Sequence, residues 1–223
     1  MSAPSGVAIH DPDVVLTDLA LALLGAYLGW RLARSPGRGT MTRSGAVIMG
    51  ALASAAFWGA VFHAFFPAGT ATRPGFVAWI PVVLSILVVA AALLEVGLRV
   101  AAPRLPALPR GAIVAAYAGA FAAVALLVDE SYATIVRFYA PTVFLFLVVA
   151  GRQAVQSRSM AWALIAVSLA ISVVAAALQQ ARVSIHREHF DHNAVYHVLQ
   201  GIALVLLYRG FRRVPEGLSA PAI

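Results

Sequence analysis

Two histidines, an asparagine and a few carboxylates carry whatever chemistry this chain can perform. Asn193 and His197 stand four residues apart in Phe190-Asp191-His192-Asn193-Ala194-Val195-Tyr196-His197-Val198-Leu199-Gln200-Gly201, ahead of the apolar run 202–208. At about 100° per residue the two share one helical face, which Gln200 and Gly201 continue. His192 falls ~140° from His197 on an ideal helix, so the two rings aim apart. Asp191 is placed to cap this helix by accepting from its first unpaired backbone N–H groups. His63 ends a stripe of Ala51, Ala55 and Gly59 at four-residue spacing. Small side chains at that spacing admit a close neighbouring helix, so His63 is expected to point into the bundle. Imidazoles meeting from two helices make a metal ligand or a general base; with amide partners they make a hydrogen-bonded network. Asp18 and Asp129 are the carboxylates placed to orient a ligand histidine or to activate water, and Arg137 is placed to grip an anionic headgroup.

The elements that position these groups follow from composition. Of 223 residues, 61% are hydrophobic and 11% charged. The charged fraction is under half of the roughly 25% usual in soluble domains, so water is not the main solvent. Several apolar runs reach the ~20 residues that cross a hydrocarbon core. They are continuous rather than alternating, which excludes an outer-membrane barrel. The fold class is therefore all-α: one polytopic seven-helix bundle occupying residues 1–223.

The spans are expected at 14–30, 45–66, 76–98, 111–128, 132–150, 160–178 and 193–208. Pro36-Gly37, Pro67, Pro74-Gly75, Pro103, Pro106 and Pro109 punctuate the short connections. The first dozen residues hold no positive stretch, so no cleavable leader is expected. With the amino terminus outside and the carboxyl terminus inside, twelve arginines fall on the inner side. Only Arg73, Arg137, Arg182 and Arg187 fall on the outer one. That is a firm positive-inside bias. The same map puts all six histidines on the outer side, with seven of the nine acids; Glu95 and Glu216 alone lie inside. The outer half is the functional end.

Several chemistries are excluded by residue type. There is no cysteine, so no disulfide and no thiolate metal site. All sixteen basic residues are arginine. Without lysine there is no retinal Schiff base, no P-loop amine and no amine nucleophile. The net charge of +7 flanks the spans instead of forming a basic domain, so its partner is the bilayer and its anionic headgroups, not nucleic acid. No inverted repeat or broken pair of spans points to a transporter. Glu95 and Arg99 are spaced for an intrahelical pair. Gly25 and Gly29 match a helix-packing pattern, as do Ser168, Ser172 and Ala176, which lead to Gln180 as a polar lining residue. His186 and His189 sit in the longest outer loop, 179–192, and are candidates for a lid over the site.

At these residues the chain resembles the CREST superfamily, the seven-helix membrane hydrolases that include alkaline ceramidases and progestin/adipoQ receptors. Asn193-Ala194-Val195-Tyr196-His197 looks like the HisxxxHis pair of that family's last span, and Val61-Phe62-His63 looks like its second-span motif. Seven spans with the amino terminus outside also resemble the ceramidase arrangement. The resemblance implies zinc held by imidazoles, with a bound water that attacks a lipid amide. Three positions depart from the pattern. Asn193 stands at the first histidine of the pair, Gly59 stands at a serine one turn before His63, and no carboxylate opens the third span.

Two readings follow. One is a metal-dependent hydrolase acting on a lipid amide or ester at the outer leaflet. His63, His197 and either His192 or Asn193 would hold zinc, with Asp18 or Asp129 as base. The other is a non-catalytic seven-helix protein that binds lipid or a small molecule, or serves as accessory subunit of a membrane complex. There His63, Asn193, His197 and Gln200 form a network that fixes helix packing. The expected location is a bacterial plasma membrane.

Overall fold

The computed structural model of the chain describes residues 9–35, 39–186 and 190–214. Arg38, Arg187, Glu188, His189 and Glu216 lie outside them. Among the described residues, seven helices are long and apolar enough to cross a membrane. They are α1 (Pro12–Ala33), α2 (Thr40–Phe65), α3 (Arg73–Ala101), α4 (Ala107–Leu127), α5 (Tyr132–Ser157), α6 (Met160–Gln180) and α7 (His192–Arg213). Most run past the spans expected from hydropathy, because a helix does not stop where its side chains turn polar. The 29 residues of α3 rise ~43 Å, more than the ~30 Å hydrocarbon core.

The helix starts are written locally. Thr72 accepts from the Gly75 N–H at 3.2 Å, and Ser131 from the Thr134 N–H at 3.3 Å. Asp191 accepts from the N–H groups of Asn193 and Ala194 at 2.8 and 2.9 Å, as its position in the sequence predicts. Large apolar side chains such as Leu16, Leu23, Leu108 and Val148 point outward. A soluble surface does not expose apolar area on that scale; a lipid-facing one does.

Six helices close a ring in the order α1, α2, α3, α5, α6, α7, and α7 returns to α1. In this ring α4 has no place. It packs on the outside of α3 and meets α5 around Phe138. The two halves of the ring are filled differently. One half carries the chain's arginine-rich connections. There Leu32, Met49, Leu93, Phe146, Trp162 and Phe211 form a continuous buried core. Close approach makes it solid: a Cβ on Gly45 would lie 2.7 Å from the Phe211 ring, and one on Gly210 would lie 2.5 Å from Ile165. The other half carries the described histidines and is not solid. Proline interrupts two helices that wall it, at Pro81 in α3 and Pro141 in α5. Each removes one backbone hydrogen bond to the preceding turn.

Two anchors hold α4. At its middle, Phe121 stacks on Phe138 with centroids 5.0 Å apart, and the Tyr117 hydroxyl donates to the Phe138 carbonyl. At its arginine-end turn, the Arg110 Nε donates to both Glu95 oxygens at 3.0 and 3.1 Å, and a guanidinium nitrogen donates to the Leu105 carbonyl at 3.1 Å. The expected Glu95–Arg99 pair is present at 2.6 Å; the second arginine on the same carboxylate joins from a different helix. Arg110→Ala is expected to cost about 2 kcal/mol, the range for a hydrogen bond to a charged group with Arg99 left in place. Amide exchange should then rise across residues 107–127 and stay unchanged in α6 and α7. Unchanged exchange in α4 would mean that the aromatic anchor suffices.

Candidate functional site

The unfilled half encloses a cavity of about 320 Å³. Every helix of the ring lines it, and α4 does not. On α7 the lining runs from Asn193 to Leu204, and on α2 from Leu52 to His63. Each stretch is eleven steps of helix, so the cavity extends ~16 Å along the bundle axis. Its deep end is Leu52, Ala56, Ile86 and Leu204; its outer end is His63, Tyr132, Gln179 and Asn193. Phe62 and Trp79 form a wall with ring centroids 4.9 Å apart, and the Trp79 indole donates to the Glu130 carbonyl at 2.9 Å.

Both candidate histidines reach this cavity. They do not reach it in the same state. His197 is buried at 9% exposure and held from two sides by α1. Its Nε2 lies 3.2 Å from Asp18 Oδ1, and its Nδ1 lies 3.0 Å from the Thr17 hydroxyl. Asp18 is itself only 4% exposed. It fits because residue 59 is glycine: a Cβ there would stand 3.0 Å from its Oδ2. The small stripe ending at His63 therefore serves α1, and through it Asp18.

The Thr17 hydroxyl also lies 2.9 Å from the Asp13 carbonyl and 3.0 Å from that of Val14. It has one proton to give. If the proton goes to backbone, the oxygen accepts from Nδ1–H, and the Nε2–Asp18 contact needs a proton of its own. If it goes to Nδ1, the ring donates Nε2–H to the carboxylate. In both arrangements α1 occupies both imidazole nitrogens. This Asp–His–Thr clasp ties the first helix to the last.

His63 is looser. Its Nδ1 lies 3.8 Å from Asp11 Oδ2, too far for a hydrogen bond. Asp11 caps α1 in the left-handed region (φ 44°), a conformation that aspartate tolerates. Asn193 faces the cavity in a hydrogen-bonded chain that ends on the Asp191 carboxylate. Gln179 donates to its Oδ1 at 2.9 Å, Tyr132 donates to Gln179 Oε1 at 3.3 Å, and its own Nδ2 donates to Asp191 at 3.1 Å. Gln200 accepts from Ser172 at 3.0 Å. The amide orientations are those that complete this network.

The other predicted residues lie elsewhere. His192 turns to Asp191 at 3.4 Å and is not in the cavity wall, as its angle from His197 requires. Asp129 caps the turn into α5, accepting from the Thr134 hydroxyl and from the Ser131 N–H at 3.1 Å. These bonds hold its carboxyl below the usual carboxylate range, with exposed Arg137 4.0 Å away as a lesser cause. Asp129 braces the turn ahead of the Ser131 cap and does not line the cavity. His186 pairs its backbone with Phe190 across the α6–α7 connection and does not line the cavity. On α6 the Ser168–Ser172 face packs on α7, with Ser168 donating to the Ala203 carbonyl at 2.7 Å. That face leads to Gln179, three residues past Ala176, whereas Gln180 is exposed.

The sequence reading missed Thr17 and the tyrosines 132, 139 and 196. Tyr132 and Tyr139 are seven apart on α5, a same-face spacing that was available. Thr17 gave no signal beyond its adjacency to Asp18.

A catalytic zinc needs about three protein donors aimed at one point. Among the described residues no three His, Asp or Glu side chains converge to hold a metal ion. His197 has both nitrogens committed to α1, and His192 points away. As arranged, these donors do not fit a three-ligand zinc site. Among the described residues no aspartate, glutamate or arginine lines the cavity. What the arrangement can do is enclose an apolar body and offer uncharged hydrogen-bonding groups at one end.

No curated protein and no solved structure matches the chain. A model of a family of unknown function, DUF6962, matches residues 14–216, nearly the whole bundle, and the chain belongs to that family.

Proposed function

We propose that this integral membrane protein binds a lipid or lipid-like small molecule in the cavity, with its histidine-bearing end on the outer side of the membrane. The observation that carries the reading is the contrast between halves. A bundle packed solid at its arginine-rich end opens ~320 Å³ at the other, lined by aromatic and neutral polar groups. Native interiors have few voids larger than a water molecule, and pockets for small ligands begin at about this volume. The twelve-to-four arginine distribution supports the orientation.

The hydrolase reading, with its likeness to the CREST enzymes, is the second one. Two cavity-lining histidines favour it, and the clasp on His197 weighs against it. In the binding reading Asp18, His197 and Thr17 hold the wall in place rather than act on the occupant.

Trp79 reports on the proposal. Titration of purified protein in detergent with a dibrominated oleyl alcohol is expected to quench its fluorescence saturably. The quenchable component should vanish in Trp79→Phe. Quenching that never saturates, and that persists unchanged in Trp79→Phe, would show bromine reaching only the outer tryptophans and would remove the proposal.

A further inference from the structure

The lining residues also constrain what the occupant is. This step rests on the binding reading above. Polar groups occur on four of the cavity's helices: His63 on α2, Tyr132 and Tyr139 on α5, Gln179 on α6, and Asn193 and Gln200 on α7. All are amides, hydroxyls or imidazole. The nearest buried carboxylate, Asp18, faces His197 and the Gly59 backbone instead of open space. Tyr139 lines the cavity two helical turns below Tyr132. A charged headgroup entering here would leave water and meet no counter-charge in the described lining, which is prohibitive for a group at membrane depth. The carboxylates behind that lining are already bonded, Asp18 to His197 and Asp191 to Asn193 and the first α7 N–H groups. An uncharged hydroxyl or carbonyl would meet donors and acceptors already in place.

Shape limits the tail. The cavity is long and narrow, about 320 Å³ spread over ~16 Å, with His63, Tyr132, Gln179 and Asn193 at one end and Leu52, Ile86 and Leu204 at the other. That is the lower end of small-molecule pocket volumes, room for one chain and not for a two-chain lipid.

From these two constraints we infer that the cavity selects a single-chain amphiphile with an uncharged, hydrogen-bonding headgroup, held head-outward among Tyr132, Gln179 and Asn193. Discrimination comes from a lining that, among the described residues, holds no aspartate, glutamate or arginine, so a single introduced charge should redirect it. Gln179 is the place to introduce one, because it lies at the polar end on a helix terminus and its neighbours Tyr132 and Asn193 are neutral.

The test is displacement of dibrominated oleyl alcohol, read at Trp79, by three competitors sharing one oleyl tail. These are oleyl glycerol, oleyl sulfate and oleyl trimethylammonium; the last two are charged at every pH. For the native chain, oleyl glycerol should compete at least ~tenfold better than either charged compound. In Gln179→Arg the sulfate should gain at least ~tenfold relative to oleyl glycerol, while oleyl trimethylammonium gains nothing. A bulk detergent effect would move all three together. If the native chain takes the charged compounds as well as the glycerol ether, the headgroup inference fails and the binding reading stands. If none of the three displaces the probe, the binding reading itself fails, and this inference with it.

Discussion

Replacing His197 with alanine is expected to destabilise the bundle by about 3–5 kcal/mol, the cost of leaving a buried ionisable partner alone. Asp18→Ala should cost a similar amount, because Asp18 and His197 are 4% and 9% exposed and, among the described residues, each is the other's only ion-pair partner. The two losses should not add. Once one partner is gone, removing the second relieves the stranded group, so Asp18→Ala/His197→Ala should be little worse than either single change. Thr17→Val, which keeps the shape and removes only the Nδ1 partner, should cost about 1 kcal/mol. Unfolding of the purified protein by a denaturing detergent, run as a double-mutant cycle, measures all four. Additive losses, or single losses under 1 kcal/mol, would mean that the contact is incidental and that other packing holds α1 to α7. A metal-ligand role predicts a different pattern, in which Asp18 variants leave the bundle intact.

The second large effect is on binding, not stability. Ala56 lines the deep end of the cavity and is buried. Ala56→Phe puts a ring into existing space, so the fold should keep its stability within ~1 kcal/mol, while affinity for the brominated probe falls at least ~hundredfold. Ala53 supplies the control. It lies on the same helix but packs on α1, where a Cβ on Gly25 would be only 3.2 Å from its own. Ala53→Phe has no void to enter and should lose about 1–3 kcal/mol by overpacking. If Ala56→Phe is as destabilising as Ala53→Phe, the cavity is not there to be filled.

Much of this architecture was legible because the bilayer imposes it. Each helix must present a continuous apolar stretch, so the spans follow from hydropathy, and the small residues Gly25, Gly29 and Gly59 mark where helices touch. His63 and His197 could be assigned to one cavity since each lies on an identifiable inward face. What could not be read was the order of helices around the ring. Nothing local shows that α4 stands outside it, so the pairing of Arg110 with Glu95 went unseen. The partners of His197 needed the same information: Thr17 and Asp18 grip it only because α1 is adjacent to α7. Asp129 failed as a cavity candidate for the opposite reason. Its own turn supplies hydroxyl and N–H donors, and local bonds outcompeted anything more distant. The shift from Gln180 to Gln179 is one residue on a helix, yet ~100° of rotation decides between lipid and cavity.

On the proposed binding mode a lipid tail occupies the ring's interior. A photoreactive oleyl glycerol carrying a diazirine near its tail end tests this most directly, by crosslinking in native membranes and mapping the labelled residues. The account predicts label on Leu52, Ile86 and Leu204, lost in Ala56→Phe. Label confined to outward-facing side chains such as Leu16, Leu23 and Val148, and indifferent to Ala56→Phe, would contradict it.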